Sequence, residues 1–186
     1  MDARADMAEA GSATLPVTVR VWDPFIRIFH WSLVALFAFA FVTGDEWDKP
    51  HEIAGYTIAG LIALRVIWGF VGTKHARFTD FVAGPGKVAG YLKDAIALRA
   101  KRYLGHNPAG GAMVLALIAA ISAICATGYM METNMFWGVD WVEEVHEFAA
   151  NATLILIVLH IGGVIFASME HGENLVRAMV TGKKRV

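Results

Sequence analysis

The chain has 186 residues, of which 56% are hydrophobic and only 18% are charged, with a formal net charge of −1. This length is typical of one domain, and soluble domains contain about a quarter charged residues, so the composition argues against a soluble protein and predicts an integral membrane protein. The single cysteine, Cys125, excludes an internal disulfide and the CxxCH pattern that attaches haem covalently.

Four apolar segments of the chain are long enough to cross a membrane, which takes about 20 largely apolar residues. The segment before them, residues 1–16, is small, polar and partly acidic, and it predicts a disordered cytoplasmic tail. Before the third span, Pro108 suits a first helical turn and Asn107 suits a helix cap. Residues 183–186 form a predicted basic cytoplasmic tail. The predicted spans cover residues 25–44, 52–71, 111–131 and 142–169.

The loops between the predicted spans differ in charge. The segment between the second and third spans is basic, and the positive-inside rule places it in the cytoplasm. The other two loops are acidic and therefore face outward. These observations predict an all-α fold, an integral membrane four-helix bundle with both termini cytoplasmic. The basic residues are Lys74, Arg77, Lys87, Lys93, Arg99, Lys101 and Arg102, and the acidic ones are Asp45, Glu46, Asp48, Glu52, Glu132, Asp140, Glu143 and Glu144, against Lys49 alone.

Histidines fall at two depths in the predicted bundle. His146 and His160 are fourteen residues apart in the fourth span, so they project from nearly the same face about 21 Å apart. His51 opens the second span at the depth of His146, and His30 lies in the first span at the depth of His160. Two bis-histidine sites stacked across a membrane are typical of a diheme cytochrome b, in which imidazole fills both axial positions and favours electron transfer.

Three further features accompany the histidines. Gly55 lies one turn after His51 and could leave room for a flat macrocycle, although close helix packing explains this glycine equally well. Gly162 and Gly163 lie two and three residues after His160 and could leave the same kind of room. Arg65 lies fourteen residues after His51, at the inner depth, where it either pairs with a haem propionate or extends to the cytoplasmic headgroups.

Four stretches, in this order, carry a resemblance to a known family: "VRVWDPFIRIFHW", "HEIAGYTIAGLIALRVIWGFVG", "GHNPAGGAMV" and "WVEEVHEFAANATLILIVLHIGG". They closely resemble the bacterial cytochrome b561 and Ni/Fe-hydrogenase b-type cytochrome subunit family over about residues 17–182. The resemblance implies a four-span diheme domain in the bacterial inner membrane. It also implies two non-covalent haem b groups, with iron ligands that fall on His30, His51, His146 and His160.

Members of that family pass electrons between a periplasmic redox partner and the quinone pool. We therefore expect an electron-transfer subunit, rather than a stand-alone enzyme, that links a c-type cytochrome or oxidoreductase subunit to quinone. The acidic outer loops favour a basic partner. The "GHNP" stretch offers His106 and Asn107 as a quinone site, with a helix cap beside an interfacial histidine as the alternative. No nucleic-acid partner is expected, and a homodimer is left open.

Two other functions compete with this expectation. A superoxide:quinone oxidoreductase, known from one branch of the family, would share the fold and haems, but a channel for an anion should be positive and the outer loops are acidic. A haem-free metal-binding or transport protein could use the same histidines. Zinc, however, requires three or four ligands at one depth, whereas the sequence offers two histidines at each of two depths.

Overall fold

The computed structural model describes residues 17–44 and 46–186, so the predicted tail of residues 1–16 and the acidic Asp45 lie outside the described residues. Long apolar runs fold as helices because a helix satisfies its own backbone hydrogen bonds. The elements in chain order are β1 (Thr18–Arg20), α1 (Pro24–Thr43), α2 (Asp48–Val71), a 3-10 turn (Lys74–Ala76), α3 (Phe78–Phe81), α4 (Pro85–Ile96), α5 (Pro108–Met131), α6 (Asp140–Glu170), α7 (Leu175–Thr181) and β2 (Lys183–Arg185).

Four of the described helices, α1, α2, α5 and α6, are long and apolar enough to cross a membrane. This confirms the predicted four-helix membrane fold, and the helix ends lie within four residues of the predicted spans. Helix α2 begins earlier than predicted, at Asp48, so that His51 lies in its first turn. Large apolar side chains such as Val42 and Phe148 are exposed on the outer surface of the bundle, where lipid would cover them.

The closest backbone packing in the bundle joins α5 to α6, α1 to α2, and α2 to α5. Ala54, Ile58 and Ile62 of α2 are buried against Ala40 of α1 and Ile121 of α5. Helix α2 therefore supplies the packed centre. The candidate functional site lies between α6 and the α1–α2 pair.

The two ends of the bundle differ in structure. At the end that we call the strand end, β1 and β2 pair antiparallel, with Thr18 opposite Arg185 and Arg20 opposite Lys183. The opposite end, which we call the loop end, carries the short α1–α2 and α5–α6 connections. The sequence predicted only a basic tail for residues 183–186. Gly182 permits the turn before β2 because it adopts φ +79°, and a Cβ there would lie 2.6 Å from the Trp22 carbonyl oxygen.

Asp23 fixes the start of α1 to the end of α2. Its Oδ1 accepts a hydrogen bond from the Ile26 N–H (2.9 Å), and its Oδ2 accepts from Thr73 Oγ1 (2.6 Å) and Trp68 Nε1 (3.2 Å). Burial alone would raise the pKa of the Asp23 carboxyl, but these hydrogen bonds outweigh burial and hold the pKa below its ordinary value. The carboxylate is therefore both a helix cap and a tie between two spans.

Candidate functional site

The loop-end pair consists of His51 on α2 and His146 on α6, whose ring centroids lie 6.1 Å apart. His51 Nδ1 donates to the Ala40 carbonyl oxygen (2.8 Å). His146 Nδ1 lies 3.0 Å from Thr127 Oγ1, and that hydroxyl itself lies within donating distance of the Ala123 carbonyl (2.9 Å), so the imidazole is the donor. Both rings then present an unprotonated Nε2, the form that binds a metal.

The strand-end pair consists of His30 on α1 and His160 on α6, with ring centroids 6.4 Å apart. His30 Nδ1 is buried and has no hydrogen-bond partner among the described residues. A buried nitrogen without a partner costs free energy, so it calls for a ligand or an ion. The structure therefore brings together the two pairs that the sequence predicted from depth.

The spacing of both pairs fits one metal ion between two imidazoles. Nitrogens that each bind a metal at about 2 Å place the ring centroids roughly 6 Å apart, which is the spacing of bis-histidine haem iron. Among residues 17–44 and 46–186, no three His, Cys, Asp or Glu side chains gather around one point as a bare metal ion would require. The donor set therefore suits haem iron better than zinc.

A cavity of about 560 Å³ adjoins the loop-end pair, and Gly55 and Gly128 contribute to its wall. A Cβ on Gly55 would meet nothing within 4 Å, whereas a Cβ on Gly128 would lie 3.2 Å from His146 Cε1. Gly55 thus leaves free space beside His51, and Gly128 leaves room for the imidazole of His146. Both observations are consistent with a flat ligand in this cavity.

A second cavity, of about 360 Å³, adjoins the strand-end pair. His30, His160 and Gly163 line it, and a Cβ on Gly163 would meet nothing within 4 Å. The two cavities therefore lie beside the two histidine pairs, one near each end of α6. Each has apolar walls with a small number of polar groups, as cofactor sites usually do.

Arg65 of α2 is only 3% exposed, so the surrounding protein encloses it. Its guanidinium carbon lies 5.4 Å from the ring centroid of Phe78 and 6.0 Å from that of Phe81, a cation–π arrangement. Nη1 is buried without a hydrogen-bond partner among the described residues. Arg65 is not one of the residues that line the strand-end cavity, so its pairing with a propionate stays a prediction.

His106 lies at the wall of the strand-end cavity, between the rings of Trp22 and Phe81, each 4.7 Å away by centroid. Its Nδ1 is buried and has no partner among the described residues. Burial, together with the positive charge of Arg65, lowers the pKa of His106 to about 3, so the imidazole is neutral at physiological pH. Asn107 caps α5 as predicted, since its Oδ1 accepts from the Gly110 N–H (2.7 Å).

Sequence reasoning missed several residues of the site. Thr127 and Gly128 lie on α5 at the depth of His146, so residue counting along the third span could have found them. Glu173 and Lys184 also line the strand-end cavity. No sequence signal marked Lys184, because a basic C-terminal stretch is typical of any cytoplasmic tail.

Comparisons with known proteins show the family of the chain. The family model described as "Prokaryotic cytochrome b561" matches residues 21–182. A protein of Bradyrhizobium diazoefficiens named "Probable Ni/Fe-hydrogenase B-type cytochrome subunit" is 21% identical, covering 90% of this chain and 86% of its own. Proteins of the same name from Rhizobium leguminosarum bv. viciae (22% identical, 90% of this chain and 89% of its own) and Rhodobacter capsulatus (21%, 90% and 81%) are also similar.

No solved structure matches the chain at a significant level. The family match covers most of the chain, including all four long helices and both histidine pairs. The chain therefore belongs to the prokaryotic cytochrome b561 family and is a membrane b-type cytochrome that takes part in electron transfer.

Proposed function

We propose that this protein is a diheme electron relay that connects a periplasmic redox partner with the quinone pool. The observation that carries the proposal is the pair of imidazole–imidazole spacings, 6.1 Å for His51 and His146 and 6.4 Å for His30 and His160. Each spacing suits bis-histidine iron. Haem b, when bound at these sites, supplies reversible one-electron transfer.

The protein residues hold and orient the ligating imidazoles. Ala40 and Thr127 fix the rings of His51 and His146 through their Nδ1 atoms, which leaves each Nε2 free for iron. If each histidine pair held a haem iron, no coordination position would be open for oxygen or substrate, and the sites would serve electron transfer. The apolar helices exclude water from the space between the two sites.

The charge distribution supports the proposed orientation. The exposed basic residues Lys74, Arg77, Lys87 and Lys93 lie in the segment between α2 and α5, beside both described chain ends. By the positive-inside rule, this strand end faces the cytoplasm, so both termini are cytoplasmic and the loop end is periplasmic. Such an orientation fits the bacterial inner membrane.

The periplasmic partner is proposed from charge and from the names of the relatives. Exposed acidic residues surround the loop-end site, namely Glu46, Asp48, Glu132, Asp140, Glu143 and Glu144. The only exposed base among the described loop-end residues is Lys49, and it pairs with Glu52 (3.2 Å). This surface suits a basic partner, either a c-type cytochrome or the basic face of an oxidoreductase subunit such as a hydrogenase. A homodimer stays an untested prediction.

Quinone is assigned to the strand end. The neutral imidazole of His106, with its unpartnered Nδ1, is able to hydrogen-bond a quinone carbonyl near the His30–His160 pair. Asn107 uses its side-chain oxygen to cap α5, and its side-chain N–H groups are further donors beside His106. The quinone site is therefore proposed at His106.

The competing functions receive no comparable support from the described residues. Superoxide is an anion and should be steered by positive charge, but the loop end is acidic. A bare metal site would require a third ligand that the described residues do not bring near either pair. Electron transfer thus remains the function that the geometry favours.

The haem content of the purified protein tests this proposal. We expect two b haems per polypeptide by pyridine haemochrome quantitation, with the reduced-minus-oxidised spectrum of a low-spin b-type cytochrome. One haem per chain would mean that one of the histidine pairs is misassigned. A colourless protein would overturn the relay and revive a metal-binding role.

The salt dependence of electron transfer tests the partner. With a basic c-type cytochrome, the second-order rate constant should fall roughly tenfold or more between low salt and about 1 M salt, because screening removes the attraction of the acidic loop end. An acidic c-type cytochrome is the matched control, and its slower reaction should accelerate with salt. A nearly diffusion-limited reaction with superoxide at low salt would instead favour the superoxide:quinone oxidoreductase.

A further inference from the structure

The side chain of Lys184 is buried, whereas most other basic residues at the strand end are exposed. Its side chain is only 5% exposed, and it lies on β2, where it lines the cavity beside His30 and His160. The neighbouring Lys183 is exposed on the same strand. A buried ammonium is costly unless hydrogen bonds and an opposite charge compensate it, so the position of Lys184 requires a reason.

The described residues provide hydrogen-bond partners for only part of the Lys184 ammonium group. Its Nζ donates to the Tyr103 carbonyl oxygen (2.9 Å) and pairs with Glu173 Oε2 (3.2 Å). An ammonium has three donors, so one N–H is left without a partner in the described part of the chain. Burial lowers the pKa of Lys184 and Glu173 offsets part of that effect.

The charge around Lys184 does not balance either. Glu173 also pairs with Arg102, so two positive side chains share one carboxylate and a single positive charge is left over. Among the described residues that line the cavity, Lys184 and Glu173 are the ones with a formal charge. These two charges cancel on the wall itself, and the positive charge that is left over comes from Arg102, which pairs with the same Glu173 carboxylate. That charge favours an anion next to Lys184.

A second polar group without a hydrogen-bond partner lies at the strand-end cavity. His171 lines the cavity, and its Nε2 is buried without a hydrogen bond among the described residues. Its nearest carboxylate oxygen, Glu170 Oε2, is 3.9 Å away, which is too long for a hydrogen bond. Lys184 and His171 thus offer two donors at the wall of one cavity.

We propose that Lys184, assisted by His171, binds a carboxylate of the cofactor held between His30 and His160, an inference that rests on the proposed function. Haem b carries two carboxylate side chains and is the anion that this cavity is proposed to hold. Lys184 is then a positioning residue that ties the C-terminal strand to the cofactor. It also raises the cofactor's reduction potential, because a nearby positive charge disfavours the more positive ferric state.

Redox titration of the full-length holoprotein tests the proposal. Lys184→Met should retain two haems and lower the midpoint potential of the strand-end haem, whereas Glu173→Gln should raise it. The loop-end haem is an internal control whose potential should not change, and His146→Leu identifies which component belongs to the strand end. Lys183→Met is the matched control, since its side chain is exposed on the same strand, and it should leave both potentials unchanged.

The outcomes separate this proposal from the relay itself. Two haems with an unchanged strand-end potential in Lys184→Met would overturn the role of Lys184 and leave the relay intact. If Lys184→Met loses the strand-end haem, restoration by Lys184→Arg supports the proposal, while failure of arginine to restore it shows a packing role and overturns it. Absence of haem from the unaltered protein would instead refute the proposed function.

Discussion

Replacement of His146 by leucine is expected to lower the haem b content from two per polypeptide to one. His146 and His51 face each other at 6.1 Å, so loss of either imidazole leaves the loop-end iron with a single protein ligand. The strand-end pair, His30 and His160, should be unaffected, because His160 lies fourteen residues from His146 along α6, about 21 Å away. His51→Leu should give the same result, and pyridine haemochrome quantitation per polypeptide measures both.

A histidine outside the two pairs provides the control for this experiment. His75 lies at the strand end and contacts Asp80 (2.9 Å), so His75→Leu should keep two haems. The double variant His146→Leu with His160→Leu should bind none. Loss of both haems in the single His146→Leu variant, despite a folded protein, would contradict the assignment of two independent sites.

Asp23→Ala is expected to destabilise the protein by roughly 2–4 kcal/mol. The change removes the cap of α1, which is worth about 1 kcal/mol, and leaves Thr73 and Trp68 without their acceptor, which costs about 1–3 kcal/mol for a buried donor. The midpoint of thermal unfolding, followed by loss of the haem absorbance in detergent, measures the effect. Asp94→Ala is the control, because Asp94 is half-exposed in its pair with Arg99 (3.0 Å) and should cost less than about 1 kcal/mol.

The same contacts predict how stability depends on pH. The pKa of Asp23 lies below its ordinary value of 3.8 in the folded protein, so its contribution is present above about pH 4. That contribution is lost as the pH falls through the lowered pKa of the folded state. Asp23→Asn should therefore flatten the acid side of the stability profile. A profile identical to that of the unaltered protein would show that the Asp23 carboxylate does not stabilise the fold.

The spans and the pairing of the histidines could be predicted because they depend on single helices. A run of about 20 apolar residues is sufficient to specify a span, and the rise of a helix converts the separation of His146 and His160 into depth. The pairing with His51 and His30 follows from depth alone. Asn107 was likewise predictable as a cap, since a cap contacts residues only three positions away.

Arg65 shows where such local reasoning stops. Its depth was predictable from its distance to His51, but the aromatic rings that enclose it belong to α3, in the connection after the span. Neither the headgroup contact nor the propionate contact suggested by the sequence takes account of Phe78 and Phe81. Their position depends on how that connection folds back, which no helical periodicity encodes.

The sequence by itself determined the membrane class, four spans, opposite charge at the two ends and two histidine pairs, since length, hydropathy and helical rise are local properties. Only the tertiary structure decided which residues hydrogen-bond to those histidines and which residues line the two cavities. Lys184 reaches Tyr103 across 81 residues, and Asp23 reaches Thr73 across 50. Such contacts arise when whole helices pack, because packing sets the distances between residues that the chain order leaves far apart.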